Sequence, residues 1–170
     1  MTSLEYEPVV WNGIGNGQED WLPHSAIFYN SGDHSVFPAA SGPEQWARVS
    51  PGEQNLPRKA LPSVEVSNIG TSDDSISFSV DRTGCPVLVK TSYFPNWQAS
   101  GADGPWRVAP NLMVVIPTSE NVTLSYGQTP VDILAYTLTG AGVLIIALLL
   151  WKPSAIPWGR NPVRVRKTRR

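Results

Sequence analysis

Residues 131–151 read VDILAYTLTGAGVLIIALLLW, with no charge between Asp132 and Lys152. At 1.5 Å per residue, about 20 helical residues cover the ~30 Å hydrocarbon core of a bilayer. Asp132 and Tyr136 fit one membrane interface, Trp151 and Lys152 the other. A buried helix of a soluble core is the competing reading, and the length of the charge-free run favours a membrane span. Gly140, Gly142 and Ala147 do not make a clean Gly-xxx-Gly spacing, so no helix pairing is read from them.

A span at this position divides the chain. The stretch from Lys152 to Arg170 carries 7 basic and no acidic residues, whereas residues 1–130 carry 13 acidic and 6 basic, a net of −7. Basic residues beside a span favour the cytoplasmic side. Residues 152–170 are therefore expected to be a basic cytoplasmic tail, and the first 130 residues to lie outside. Attraction of that tail to anionic headgroups, about 1 kcal/mol per basic residue near the surface, makes membrane lipid an expected partner. Nucleic acid, the other habitual partner of basic tails, is not expected beside a span.

The opening MTSLEYEPVVWNGIGNG has no basic n-region and no apolar run, so it does not read as a signal peptide. An outer domain needs something to direct it across the membrane. The sequence is therefore expected to be the end of a longer protein, the alternative being a stand-alone bitopic membrane protein whose outer domain is an interaction module. An upstream or separate polytopic membrane domain is an expected partner.

Charged residues are only 16% of the chain, which excludes a highly charged disordered segment, while 16 Pro and 14 Gly favour short strands and irregular loops. Residues 1–61 show little periodicity and are expected to be an irregular outer segment, with Trp11 and Trp21 anchoring it on a neighbouring surface. Gly13, Gly15 and Gly17 alternate, but without a following Lys-Ser/Thr or a strand-to-helix context they match no phosphate-binding loop.

From residue 62 to 128 the pattern changes. The runs SVEVSNI, SISFSVD, PVLVKTSYF, PWRVA, LMVVIP and NVTLSYG are short, many alternate with period two, and turn residues separate them. They predict a small antiparallel β-sandwich leaning on the N-terminal segment. The fold class is thus mainly β, a sandwich followed by one transmembrane α-helix over 131–151. Pro95 is expected to end a strand at Phe94, Asn96–Asp103 to form a loop, and residues 86–94 and 105–109 to pair as a hairpin. Tyr93, Phe94 and Trp97 then serve first as packing residues, with Trp97 folding over the hairpin or onto the membrane surface. Sugar stacking is their second reading.

The chemistry-bearing residues are sparse. Cys85 is the one cysteine and reads as a small strand residue. Glu19 and Asp20 are adjacent, and on an extended segment would point apart, a poor geometry for an acid–base pair. They read first as solvated loop charges; a divalent-metal or sugar contact by Asp20 with Trp21 is the sharper alternative, and a hydrolase built on Glu19 or Asp20 the remotest. His24 and His34 lack an obvious third ligand, so no metal site is assigned. Arg58 and Lys59 read as a small surface cluster. No catalytic residues and no cofactor are assigned.

The run VLVKTSYFPNWQASGADGPWRVAPNLMVVIPTSENVTLSYG resembles the C-terminal outer domain of large polytopic membrane proteins of actinobacteria. These are GT-C-type glycosyltransferases and relatives, including YfhO-like and pyruvoyl-tetrahydropterin-synthase-related membrane proteins. The resemblance spans roughly residues 62–150. It rests on Tyr93, Phe94 and Trp97, then Trp106–Arg107, then a Val-rich strand closing at Pro117. It implies a cell-envelope protein handling carbohydrate or polyprenyl-linked sugar, with the catalytic acid in an early loop that has no counterpart here. The carbohydrate-contact candidates are Trp21, Asp20, Trp97, Trp106 and Arg107.

Overall fold

The computed structural model describes residues 1–15, 17–53, 55–128 and 130–151. The basic tail expected over 152–170 lies outside the described residues. In chain order the elements are β1 (Thr2–Ser3), β2 (Val9–Trp11), α1 (Gln18–Asn30), β3 (Pro38–Ala39), β4 (Arg48–Val49), β5 (Val66–Thr71), β6 (Ser75–Val80), β7 (Val87–Val89), β8 (Trp97–Ser100), β9 (Ala102–Val108), β10 (Leu112–Pro117), β11 (Asn121–Tyr126) and α2 (Pro130–Trp151).

The strands form two sheets. One has seven strands in the order β1-β7-β10-β9-β3-β2-β4, the other four in the order β5-β6-β11-β8. Pairing is antiparallel except where β2 meets β3 and β4. Period two explains the core between the sheets. Ile76, Phe78 and Val80 of β6 and Val122 and Leu124 of β11 point inward, against Val87, Val89, Met113 and Val115 of the larger sheet. The intervening Ser77 and Thr123 face out. Burying each of the larger side chains stabilises the fold by about 1.5–3 kcal/mol.

The larger sheet is covered on its second face too. Leu88, Val108 and Val114 pack there with Leu4, Val10 and Trp46, joined by half-buried Phe37 and Leu61. Residues 1–61 are therefore not a separate irregular segment. They contribute β1 to β4 to the larger sheet, and residues 1–127 form one compact unit. The physical reason is that β7 and β10 are apolar on both faces, and a sheet with two apolar faces needs cover on both.

The expected hairpin of 86–94 with 105–109 does not form. β7 ends at Val89 and pairs with β1 and β10, while β9 pairs with β10 and β3. Residues expected to loop, Trp97–Ser100, are instead β8 on the edge of the smaller sheet, opposite β11. The chain then passes between sheets at a single residue, Gly101, with φ +76°. A Cβ there would run into the Asn121 carbonyl oxygen, so only glycine makes this corner without displacing backbone.

α2 has 22 residues and is long and apolar enough to cross a membrane. Its hydroxyls bond to its own backbone, Thr137 Oγ1 to Leu134 O and Thr139 Oγ1 to Ala135 O, both at 2.8 Å. Such internal satisfaction suits a helix surrounded by lipid.

Candidate functional site

The site is built around α1, which the Gly- and Pro-rich sequence hid. Gly17 enters it in an extended conformation, and Glu19 and Asp20 occupy the first turn, where the helix dipole favours negative charge. Glu19 and Asp20 thus lie on a helix rather than an extended segment, and both are exposed. Strand β2, the glycine loop and α1 do form a strand-to-helix connection, contrary to expectation. Its two first-turn carboxylates disfavour an anion there. Trp21, Ser25 and Phe28, spaced four and three apart, form the buried side of α1. That spacing is the signal that identifies the helix.

Trp21 is fully buried. Its Nε1–H donates to the Pro110 carbonyl at 2.8 Å, and the Arg107 guanidinium lies 4.6 Å from its ring centroid. Arg107 is itself buried and donates from Nε to Asn111 Oδ1 at 2.8 Å. Burial pulls the Arg107 guanidinium below its ordinary value, and the neighbouring Tyr93 opposes this. Of the five carbohydrate-contact candidates, Trp21 and Arg107 therefore come together, but as a stacked pair inside the fold. Trp106 is half-buried, edge-on to Trp46 at 5.3 Å. Asp20 is exposed on α1, and Trp97 lies on the other sheet. The five do not form one site.

Beside α1 the structure opens a cleft of about 950 Å³. Trp11, Phe28 and Val36 form its floor and are almost wholly buried. Trp11 meets both Trp21, at 5.4 Å, and His24, at 5.8 Å, with the rings tilted. The cleft lining also carries the titratable side chains His24, Asp33, Glu53 and Arg58. Asp33 accepts from Ser35 N at 3.0 Å, Ser35 Oγ at 2.7 Å and Arg58 Nη2 at 2.7 Å. The Ser35 hydrogen bonds, aided by Arg58, hold the Asp33 carboxyl down at about 2. The carboxylate is thus fixed in orientation and ionised across the physiological range. Arg58 and Lys59, read together as a surface cluster, diverge: Arg58 pairs with Asp33 and Lys59 with Glu7.

His24 and His34 each bond a backbone carbonyl, of Asp20 and Tyr29. Among the described residues no group of three or more His, Cys, Asp or Glu is arranged to hold a metal ion. Cys85 is a free thiol in the inter-sheet core.

A second, shallower hollow of about 350 Å³ lies at the Tyr126 end of β11, lined by Asp73, Thr91, Ser92, Phe94, Trp97 and Tyr126. Tyr126 stands edge-on to Trp97 at 5.4 Å and to Phe94 at 6.3 Å. Tyr93 and Trp97 both pack against the inter-sheet core, whereas Phe94 and Tyr126 are exposed.

No family model, curated protein or solved structure matches the chain.

Proposed function

We propose that this chain is a membrane-anchored, extracytoplasmic binding module of the cell envelope whose cleft beside α1 takes carbohydrate, free or polyprenyl-linked. The observation that carries the reading is the cleft itself: an aromatic floor with an oriented carboxylate and a guanidinium on its rim. Sugars present an apolar face and a rim of hydroxyls, and aromatic rings with planar bidentate groups are the matching chemistry. Anchoring is supported by α2, and the outward placement of the sandwich by the charge bias of the sequence. The resemblance to GT-C-type glycosyltransferases supports reading the chain as the non-catalytic C-terminal part of such a protein, working beside a polytopic membrane domain.

Titration of the full chain in nanodiscs with envelope oligosaccharides, read by intrinsic tryptophan fluorescence, tests the binding. Saturable quenching that is lost in Asp33→Ala and Arg58→Ala supports it. No response to any glycan, or a response unchanged by both substitutions, overturns it. Protease protection with tags at both ends tests the side: a sandwich protected within sealed cells would place it in the cytoplasm and remove the envelope reading.

One observation favours a second reading, a bitopic protein whose outer domain binds another protein. Leu22, Ile27 and Tyr29 of α1 are 56%, 59% and 65% exposed, an unusual concentration of apolar surface on one helix. Crosslinking from Leu22 to a co-purifying membrane protein distinguishes this from a sugar-binding role.

A further inference from the structure

We propose that the Phe94–Trp97–Tyr126 end of the sandwich is a seat on the bilayer surface, with the lipid headgroup layer as its partner. Phe94 and Tyr126 are 51% and 45% exposed, and Trp97 is half-buried beside them. An aromatic cluster left this open needs a reason, because the same rings turned inward would add to the core.

The cluster is a rigid platform. Tyr126 N donates to Asp74 O at 2.7 Å, and Trp97 N to Phe94 O at 3.1 Å. Gly127 and Asn96 are joined twice, Gly127 N to Asn96 O and Asn96 Nδ2 to Gly127 O, each at 3.0 Å. The loop that carries Phe94 is thereby stapled to the last residue of the sandwich.

Chain length supplies the partner. Three peptide units join Gly127 to Pro130, where α2 begins, and fully extended they reach about 11 Å. The seat rests on the proposed reading of α2 as a membrane span: its 22 residues rise about 33 Å, little more than ~30 Å of hydrocarbon, which places Pro130 near an interface. The stapled platform is then tethered within roughly the depth of a headgroup layer, ~5–8 Å, plus a few ångströms. Attachment makes lipid contact intramolecular, so weak partitioning by two or three rings is enough to hold it.

The residue types set the depth. Trp and Tyr favour the level of the headgroups, where an apolar ring and a polar tip are both satisfied. Asp73, Thr91 and Ser92 share the hollow with the rings, and a carboxylate on that rim keeps the platform out of the hydrocarbon. The seat is therefore an interfacial one, and it orients the sandwich on the membrane independently of what the cleft binds.

The test uses the full chain in phosphatidylcholine proteoliposomes containing a headgroup-quencher lipid, with a fluorophore on one introduced cysteine. Buried Cys85 stays native. Ser92→Cys reports beside the platform. Thr83→Cys reports the opposite end, where Gly84 N bonds Pro117 O and Val80 N bonds Glu120 O. The expected result is strong quenching at Ser92 and little at Thr83, with quenching at Ser92 lost when Phe94→Ser and Tyr126→Ser are added. Phe94→Tyr with Tyr126→Trp should retain it. Weak quenching at Ser92 in the otherwise native chain overturns the proposal and leaves the platform to a protein partner. Equal quenching at both ends also overturns it. The comparison of Ser92 with Thr83 needs no platform variant, so a misfolded double substitution does not blunt it.

Discussion

Two aromatic clusters sit on this domain, made of the same residue types and put to opposite uses. Around Trp21 the indole is wholly enclosed, its N–H is bonded to Pro110, and a buried guanidinium covers one face. Around Tyr126 the rings meet edge-on, with Phe94 and Tyr126 about half exposed and Trp97 partly buried against the inter-sheet core. Ring geometry does not separate a packing cluster from a contact surface, since both show edge-on or tilted pairs near 5–6 Å. Access to solvent and the satisfaction of the polar atoms do. The first cluster holds α1 against the seven-stranded sheet and so shapes the cleft. In the second, Trp97 still packs on the inter-sheet core, while Phe94 and Tyr126 stay open to solvent.

The sharpest way to break this comparison is to delete the buried ring. Trp21→Ala should destabilise the domain by about 3–5 kcal/mol, because it leaves a large cavity under α1 and strips the cover from Arg107. Urea unfolding of the full chain in detergent, followed by near-ultraviolet circular dichroism, measures it. A cost below about 1 kcal/mol would show that Trp21 does not anchor the helix. Next comes the corner that places β8, and with it Trp97. Gly101→Ala adds a side chain at positive φ against the Asn121 carbonyl, and about 2–4 kcal/mol is expected in the same assay. Trp21→Phe keeps an aromatic ring but leaves the Pro110 carbonyl without its donor, and should cost about 1–2 kcal/mol. On the open cluster, Phe94→Ser with Tyr126→Ser should change domain stability by less than about 1 kcal/mol, since both rings are already half in water. A loss as large as that of Trp21→Ala would make the two clusters equivalent.

The difference also explains what could be read in the sequence. β6 and β11 are legible because period two puts apolar residues on the core side, and β10 because it is an unbroken apolar run; all three runs fall within a residue of the strands that form. α2 is legible because nothing but a membrane or a large core explains a charge-free run of that length. α1 is not, because Leu22, Ile27 and Tyr29 are as apolar as the residues it buries, and Pro23 lies inside it. β8 is hidden by its length and by Ala99 and Ser100, which carry little strand signal. The cleft is less visible still. Its floor comes from β2, α1 and Val36, and its rim pairs Asp33 with Arg58, twenty-five residues apart. Of the residues singled out for sugar contact, Trp21 and Arg107 lie together inside the fold, a pairing between residues so distant in the chain that it is invisible in the sequence.

The smallest effect belongs to the cleft rim. Asp33 has its carboxyl held at about 2 by the Ser35 and Arg58 hydrogen bonds, below the value of near 3.9 for an unfolded chain. A lowered carboxyl stabilises the folded form fully above the unfolded value, and the contribution is lost as pH falls toward 2. The Asp33–Arg58 pair should therefore be insensitive to pH from 8 to about 5 and loosen between about 4 and 2. Because Asp33 and Arg58 are both more than half exposed, solvent screens the pair and the change in global stability is small. Carboxyl and guanidinium NMR shifts resolve it where unfolding curves do not. In Asp33→Asn the Arg58 resonance should lose its acid transition. If Arg58 in that variant still shifts between pH 4 and 2, another carboxylate orients it, and Glu53 is the other acidic side chain lining the same cleft.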